Sequence, residues 1–527
     1  MAGTQPEDRR ARLAAALRER LEGEVIAEGP TLERCAVDQS IYRIPPLVVV
    51  HPRCRADIVE TLAAAGAEGV PVTARGGGSG TAGAALGAGV VLAFRRGGPL
   101  GRISQLRRGG EAPCISAGPA AVHDDVQAAL RRHGLFLPAD PSSGKISLIG
   151  GNVATKASGP HALKHGSIDR YLVDAEFVTA AGEIVDTADE TTIPDRIRDG
   201  VLELKRDLLA DEEAAALLRS REGMKIASGY NLFAFLRHER PGPLLTALLA
   251  GSVGTLGVLT RATLRAEARP EGRATTLVFF RSLEEAGRAA RLIAAEQVAA
   301  VEMMNHRTVA MVRAHHPGLP VPEGEAHVLL VEYAGPGRHE QIDRVEGLLR
   351  GEGFRLTSPA RTVETEEEQA EVWRIRKALF PIVRTHRRDR RALSVVNDVG
   401  VPVDRLAPFI QEVEAVFDEF DLEAPIYGHA GSGNLHLRPL FDPADPRLED
   451  TIQRVADRIY DVVFRHGGTV TAEHGMGPLR APYLPEEWGD RVIDYMRRMK
   501  DLLDPDGILN PGAMFSERPI TDNLKPL

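Results

Sequence analysis

From residue 43 onward the apolar positions change period every few residues. "PPLVVVH" (45–51) is an apolar run of strand length, and "RADIVETLAAAGAEG" (55–69) has helical spacing and stops at glycine. "VPVTARGGG" (70–78) is a strand running into glycines, and "GVVLAF" (89–94) is a further strand. The style repeats over 112–187, with "APCISAG" as strand, "VHDDVQAALRRHG" as helix, and "LVDAEFVTAAGEIVDT" as two strands about a tight turn at Ala181 and Gly182. Residues 188–245 are charged and helical, and "GSVGTLGVLTRATLRA" (251–266) feeds a glycine turn into strands. "EARPEGR" (267–273), charged and broken by proline and glycine, reads as a boundary. Beyond it "ATTLVFF", "SLEEAGRAARLIAAE" and "AHVLLVEYAG" alternate strand, helix and strand, and helix dominates from about 447. The pattern predicts α/β or α+β layering. It divides the chain into a helical segment (1–42), a first unit (43–266), a second unit (267–446) and a helical end (447–527) that packs back on the first unit.

Composition narrows the class. A chain of 527 residues exceeds what one core usually supports. Its 65 basic against 74 acidic residues leave a net charge of −9, which argues against nucleic acid as a partner. Cys35, Cys54 and Cys114 form no CxxC pair, which argues against a disulfide framework, a thiolate zinc site and an iron–sulfur cluster in this chain. Few cysteines fit a reducing compartment, and a cytoplasmic location is expected. The first thirty residues read as a charged surface helix rather than a secretory leader. No run approaches the roughly 18 apolar residues of a membrane span, so peripheral contact with a membrane's inner face is the association left open.

Three glycine clusters each adjoin a strand: "RGGGSGT" (75–81), "IGGNVATKASGP" (149–160) and "GSVGTLG" (251–257). Glycine lets backbone approach a ligand closely, and successive N–H groups form a concave anion site. The first cluster is neither a P-loop nor a GxGxxG fingerprint. Three such loops suit one extended ligand of dinucleotide size.

"YGHAGSGNLHLRPL" (427–440) carries two histidines, His429 and His436, seven positions apart. Three intervening glycines disfavour a helix. On one straight strand the odd spacing would send them to opposite faces. Convergence therefore needs a loop at "AGSG" and a following strand on which Asn434, His436 and Arg438 share a face. Singly, such histidines are commonly surface or core residues. "TAEHGMG" offers Glu473 as a third ligand, with His474 beside it and flexible Gly475 and Gly477 after it.

"TARGGGSGTAGAAL", "PADPSSGKISLIGGNVATKASGPHALKHGSIDRYL", "SGYNL", "GSVGTLGVLT", "GHAGSGNLH", "TAEHGMG" and "DPDGILNPG" occur in this order. Together, over about 43–515, they resemble the FAD-linked oxidases of the vanillyl-alcohol-oxidase type, whose FAD-binding domain is the PCMH type. The branch they resemble is the D-2-hydroxy-acid dehydrogenases of D-lactate, glycolate and D-2-hydroxyglutarate. The resemblance implies an α+β fold: an FAD domain of two subdomains and a cap domain with an antiparallel sheet and flanking helices. It implies that Arg75, Gly76, Gly77, Gly78, Ser79, Gly80 and Thr81 cradle the FAD pyrophosphate. Pro138, Ile149, Gly150, Gly151, Asn152, Thr155, Ser158 and Gly159 would line the flavin side, followed by His165 and Gly166. Gly254, Thr255, Gly257, Val258 and Asn510 would complete the site. The first loop lacks the histidine that often holds FAD covalently, so non-covalent FAD is expected.

By the same resemblance His429, His436 and Glu473 bind a divalent metal, zinc or manganese, and His474 is the base. Arg376 in "VWRIRKALF" receives the substrate carboxylate, with Asn434 beside it. The implied reaction oxidises a 2-hydroxy acid to a 2-oxo acid, with hydride passing to flavin N5. Ser432 stands where an aspartate is common in the family loop, which puts metal preference or substrate range in question. "LSVVNDVGVP" lacks the lysine by which some relatives bind a second carboxylate, and the basic run "RTHRRDRRAL" reads as a solvated face or partner surface in preference to an attractor of a dianionic substrate such as 2-hydroxyglutarate. Without iron–sulfur cysteines, electrons are expected to pass to a separate iron–sulfur protein, a cytochrome or a quinone. A homodimer is left open. Rival readings are a flavin enzyme without net oxidation, similar to the alkyl-dihydroxyacetone-phosphate synthases, a non-catalytic FAD-binding subunit of a dehydrogenase complex, and a metal-dependent hydrolase.

Overall fold

The computed structural model describes residues 6–316 and 321–526. The N-terminal helix Pro6–Arg20 is not simply a surface helix: Leu13, Ala14 and Leu17 are buried with Ile58 and Leu62 of the helix Arg55–Ala67. These three positions form one narrow stripe, enough to dock a mostly charged helix. Strand Glu24–Ile26 then pairs antiparallel with Val48–His51, which runs parallel to Val90–Ala93, itself parallel to Val72–Arg75. Val48, Val50, Val90 and Leu92 face one core and Val49, Val91 and Ala93 another, so both faces are covered and the strands read as unbroken apolar runs. A second sheet is antiparallel, in the order Cys114–Ala117, Val258–Arg265, Leu172–Val178, Ile184–Asp186. The long C-terminal helix Leu484–Leu503 packs on Asp195–Ala210, and Leu509 bridges to Val72, so the end of the chain returns to the first half.

The second half is built on a seven-stranded antiparallel sheet. Its order is Arg361–Val363, Arg273–Phe280, His327–Ala334, Ala300–Met304, Ile426–His429, Asn434–Leu437, Val399–Gly400. Val278, Val301, Met303 and Val331 pack with helices Leu283–Ala294, Leu406–Glu419 and Leu448–Arg465. On the other face Leu277, Phe279, Val328 and Leu330 pack with helices His306–His315 and Glu366–Thr385. By the two-residue period Glu302 and Glu332 lie on that second face. Both are nevertheless buried. The architecture is α+β.

Candidate functional site

The two histidines meet through a hairpin. Strands Ile426–His429 and Asn434–Leu437 pair with His429 opposite Asn434 and Tyr427 opposite His436. His429 and His436 are thus diagonal neighbours on one face, with ring centroids 5.3 Å apart. The turn between them ends at Gly433, whose φ is 71° and where a Cβ would stand 1.8 Å from the Val401 carbonyl oxygen. Only glycine fits there. Ser432, at the position where the loop departs from the family pattern, donates from Oγ to the His429 carbonyl and closes the same turn.

Glu473 Oε1 lies 3.3 Å from His429 Nε2, 3.5 Å from His436 Nε2 and 3.6 Å from His474 Nε2. The opposite ring nitrogens are held from behind. Glu302 Oε1 lies 2.5 Å from His429 Nδ1, and the Asn397 carbonyl oxygen 2.9 Å from His436 Nδ1. Partners that fix the far nitrogen in this way aim Nε2 at a common point. Donor atoms around a tetrahedral ion with bonds of about 2.0–2.1 Å stand about 3.3 Å apart, so the donor set fits a zinc-class ion. Glu473 Oε2 is taken by Lys225 Nζ at 2.5 Å and by Ser158 Oγ at 3.3 Å, which leaves Oε1 for the cluster.

Asp398 is also within reach of His436, Glu473 and His474, but its oxygens are committed. Oδ2 accepts from Thr471 Oγ1 and from the backbone N–H groups of Ala472, Glu473 and His474, and Oδ1 from Asn434 Nδ2. A carboxylate that accepts this many bonds is a clamp on the "TAEHG" turn rather than a ligand. Burial opposes its charge, yet the neighbouring His474 imidazole and Arg480 guanidinium hold its pKa down to about 2. Burial drives the pKa values of His436 and His474 below the ordinary histidine value, against the pull of Glu473 and, for His474, Asp398. His429 goes the other way: burial is outweighed by Glu302 and Glu473. Arg376 donates from Nε to Glu302 Oε2 at 2.6 Å and lies over the Tyr427 ring.

One cavity of about 1340 Å³ runs from the glycine loops to this cluster. Gly76, Gly77, Gly78, Ser79, Gly80, Thr81, Gly150, Gly151, Asn152, Thr155, Ser158, Gly159, Gly254 and Gly257 line it, together with Arg376, His429, His436, Glu473 and His474. A Cβ on Gly80 or Gly151 would meet nothing within 4 Å. The hydroxyls of Thr81 and Ser147, both on the cavity wall, are buried without a hydrogen-bond partner among the described residues. Open glycine backbone and orphaned hydroxyls fit a phosphate-bearing dinucleotide.

Other expected site residues sit behind this wall. Arg75 turns its guanidinium away and donates to the carbonyls of Arg34, Cys35, Val37 and Ala85, so it shapes the loop instead of touching the cavity. Asn510 stitches the first and third loops, accepting from Thr73 and donating to the Ala84 and Val253 carbonyls. Thr255 and Ile149 are buried in the scaffold, as is Val258, and Gly166 makes a turn with φ 74°. Pro138 and His165 line a separate small pocket of about 180 Å³. Asn434 is buried between Asp398, the Val399 carbonyl and Lys225, where it positions the hairpin, and it is not among the residues that line the cavity.

The comparisons with known proteins agree with this layout. The FAD binding domain family matches residues 46–188, and the C-terminal domain of the FAD linked oxidases matches 269–514. The chain belongs to the FAD-linked oxidases. As such it is an FAD-dependent oxidoreductase. Glycolate oxidase subunit GlcD of Bacillus subtilis is 27% identical, with 90% of each chain covered. The Escherichia coli K12 subunit of that name is 29% identical over 97% of this chain and 92% of its own. D-2-hydroxyglutarate dehydrogenase of E. coli K12 is 28% identical over 91% of this chain, which spans 49% of that protein's length. Among solved structures, 4-ethylphenol oxidase from Gulosibacter chungangensis superposes with a TM-score of 0.68 at 16% identity, covering 96% of this chain and 97% of its own. An alkyldihydroxyacetonephosphate synthase superposes at 0.63 and 15% identity, covering 97% and 85%. These two likenesses show the fold.

Lys225 and Glu302 escaped the sequence reading, and Asp398 was given no role in it. A signal existed for two of them: Glu302 and Asp398 are acidic residues inside the apolar runs "AVEMM" and "SVVNDVGV". A charge there is buried and must be partnered. Among the described residues no helix is long and apolar enough to cross a membrane.

Proposed function

We propose that this oxidoreductase converts a D-2-hydroxy acid of the D-lactate, glycolate or D-2-hydroxyglutarate class to the 2-oxo acid, with non-covalent FAD and a zinc or manganese ion. The observation that carries the reading is the convergence of three imidazole Nε2 atoms on Glu473 Oε1, at the end of the cavity that the glycine loops line. The relatives named for glycolate and D-2-hydroxyglutarate support the substrate class. His429, His436 and Glu473 would hold the metal. When bound, FAD supplies two-electron redox chemistry and the ion supplies Lewis acidity.

The chain's own groups do the rest. His474 is neutral near pH 7 because burial disfavours its cation, so its Nε2 can accept the hydroxyl proton. Asp398 Oδ2, 3.7 Å from His474 Nδ1, stabilises the imidazolium that results. Arg376 offers its Nη pair to the substrate carboxylate, since Glu302 takes the Nε edge. Electrons leave to a separate iron–sulfur protein, cytochrome or quinone, and the protein works in the cytoplasm. The test is anaerobic addition of D-lactate, glycolate and D-2-hydroxyglutarate to the purified flavoprotein, with and without a chelator. Flavin bleaching that the chelator abolishes is expected. No bleaching by any 2-hydroxy acid refutes the reaction, and chelator-insensitive bleaching removes the metal from it.

A further inference from the structure

A second histidine cluster lies away from the cavity, where helix His306–His315 and strand His327–Ala334 begin. His306 opens that helix and His327 opens the strand His327–Ala334. One potential ligand atom from each of His306, Glu325 and His327 lies within 4.8 Å of the others. A fourth carboxylate joins them from helix Leu406–Glu419: His306 Nδ1 is 3.9 Å from Glu325 Oε1 and 3.8 Å from Glu414 Oε1.

These gaps are too long for hydrogen bonds. The Nδ1 atoms of His306 and His327 are both buried with no hydrogen-bond partner among the described residues. His327 is only 3% exposed, and its ring meets that of His306 edge to face at 5.2 Å. An orphaned His306 Nδ1 with two carboxylates just beyond bonding range, beside an orphaned His327 Nδ1, is a donor arrangement that suits a cation. Tetrahedral zinc would need donor atoms about 3.3 Å apart, so the His306 pairs at 3.8–3.9 Å, and the others within 4.8 Å, would have to draw in around the ion. Outer support is present, because Asn305 Nδ2 donates to Glu414 Oε1 at 2.7 Å. Imidazole with carboxylate suits zinc better than calcium or magnesium, which prefer oxygen alone.

We propose that His306, Glu325 and His327, with Glu414 as fourth ligand, bind a zinc-class cation. The ion would tie the start of helix His306–His315 to the start of strand His327–Ala334 and to helix Leu406–Glu419. This site is independent of the cavity and of the reaction proposed there.

Zinc-buffered titration and metal analysis of the full-length flavoprotein test it. His327→Ala and Glu325→Gln are each expected to lower zinc content by one per chain, or to weaken that equivalent at least about tenfold. The flavin spectrum and hydroxy-acid-dependent bleaching should be unchanged. Equal content and affinity in wild type and both variants overturns the proposal. In a His436→Ala background, which breaks the cavity's donor set, the remaining zinc should vanish when His327→Ala is added; a His436→Ala protein already without zinc overturns it. Should His327→Ala fail to fold, Glu325→Gln decides alone, because its side chain is exposed.

Discussion

Glu302 holds both a proposed metal ligand and the proposed substrate arginine, 2.5 Å from His429 Nδ1 and 2.6 Å from Arg376 Nε. Glutamine at 302 keeps the shape and removes the charge. Two losses follow, and each has a size. The His429 imidazole loses an anionic partner behind it, and outer-sphere losses of this kind weaken metal binding about 10- to 100-fold. Arg376 is left as a buried cation without its counter-charge, which costs about 3–5 kcal/mol of stability. Competition against a zinc buffer reads the first and a urea titration the second. A double variant, Glu302→Met with Arg376→Met, removes both charges. It is expected to recover most of the stability, because well-packed apolar replacements of a buried pair are often neutral, and to show no activity. Wild-type zinc affinity in Glu302→Gln would refute the positioning role. A double variant no more stable than the single one would show that packing, not charge, was lost.

Three further outcomes are expected. Gly80→Ala should cut FAD affinity at least about tenfold, roughly 1.4 kcal/mol, and leave the apoprotein's melting temperature unchanged, since its Cβ meets no protein atom within 4 Å; flavin content per chain is the measurement. His474→Ala should slow anaerobic flavin reduction about 10²- to 10⁴-fold with flavin and metal retained, read by stopped flow. His161 lies 2.5 Å from Asp140 and 2.9 Å from Glu332, and these carboxylates outweigh burial and raise its pKa from 6.5 to about 10. A folded pKa above the unfolded one stabilises fully below about pH 6.5 and fades as pH rises toward 10. Wild type should therefore lose stability across that window relative to His161→Gln, in denaturant titrations at several pH values.

The sequence made legible those features that depend on local chemistry. The glycine clusters announced a wall for a large phosphate-bearing ligand, although the second opens as helix Ile149–Ala154 and not as a loop, and the odd His429–His436 spacing required the hairpin that Gly433 closes. The face shared by Asn434 and His436 followed from the strand period, but not what lies in front of it. Asn434 proved to be a strut because Lys225 and Asp398 arrive from distant segments. Arg75 misled for a related reason. An arginine beside three glycines suggests phosphate, whereas here the carbonyls of Arg34, Cys35 and Val37, at the end of helix Pro30–Cys35, and of Ala85 compete for it and win. The helix Pro6–Arg20 looked solvent-facing because its buried stripe is only Leu13, Ala14 and Leu17.

Asp398 gathers the N–H groups of residues 472–474 and the amide of Asn434 onto one carboxylate. The three segments involved lie far apart in the chain, so this knot closes only after long-range contacts have formed. Glu473 and the hairpin histidines cannot converge in a nascent or half-folded chain. An ion that needs all of them is captured late, once the tertiary structure is complete. Loading of the proposed metal would then report finished folding, and a chain trapped before that step would lack the donor set to compete for it.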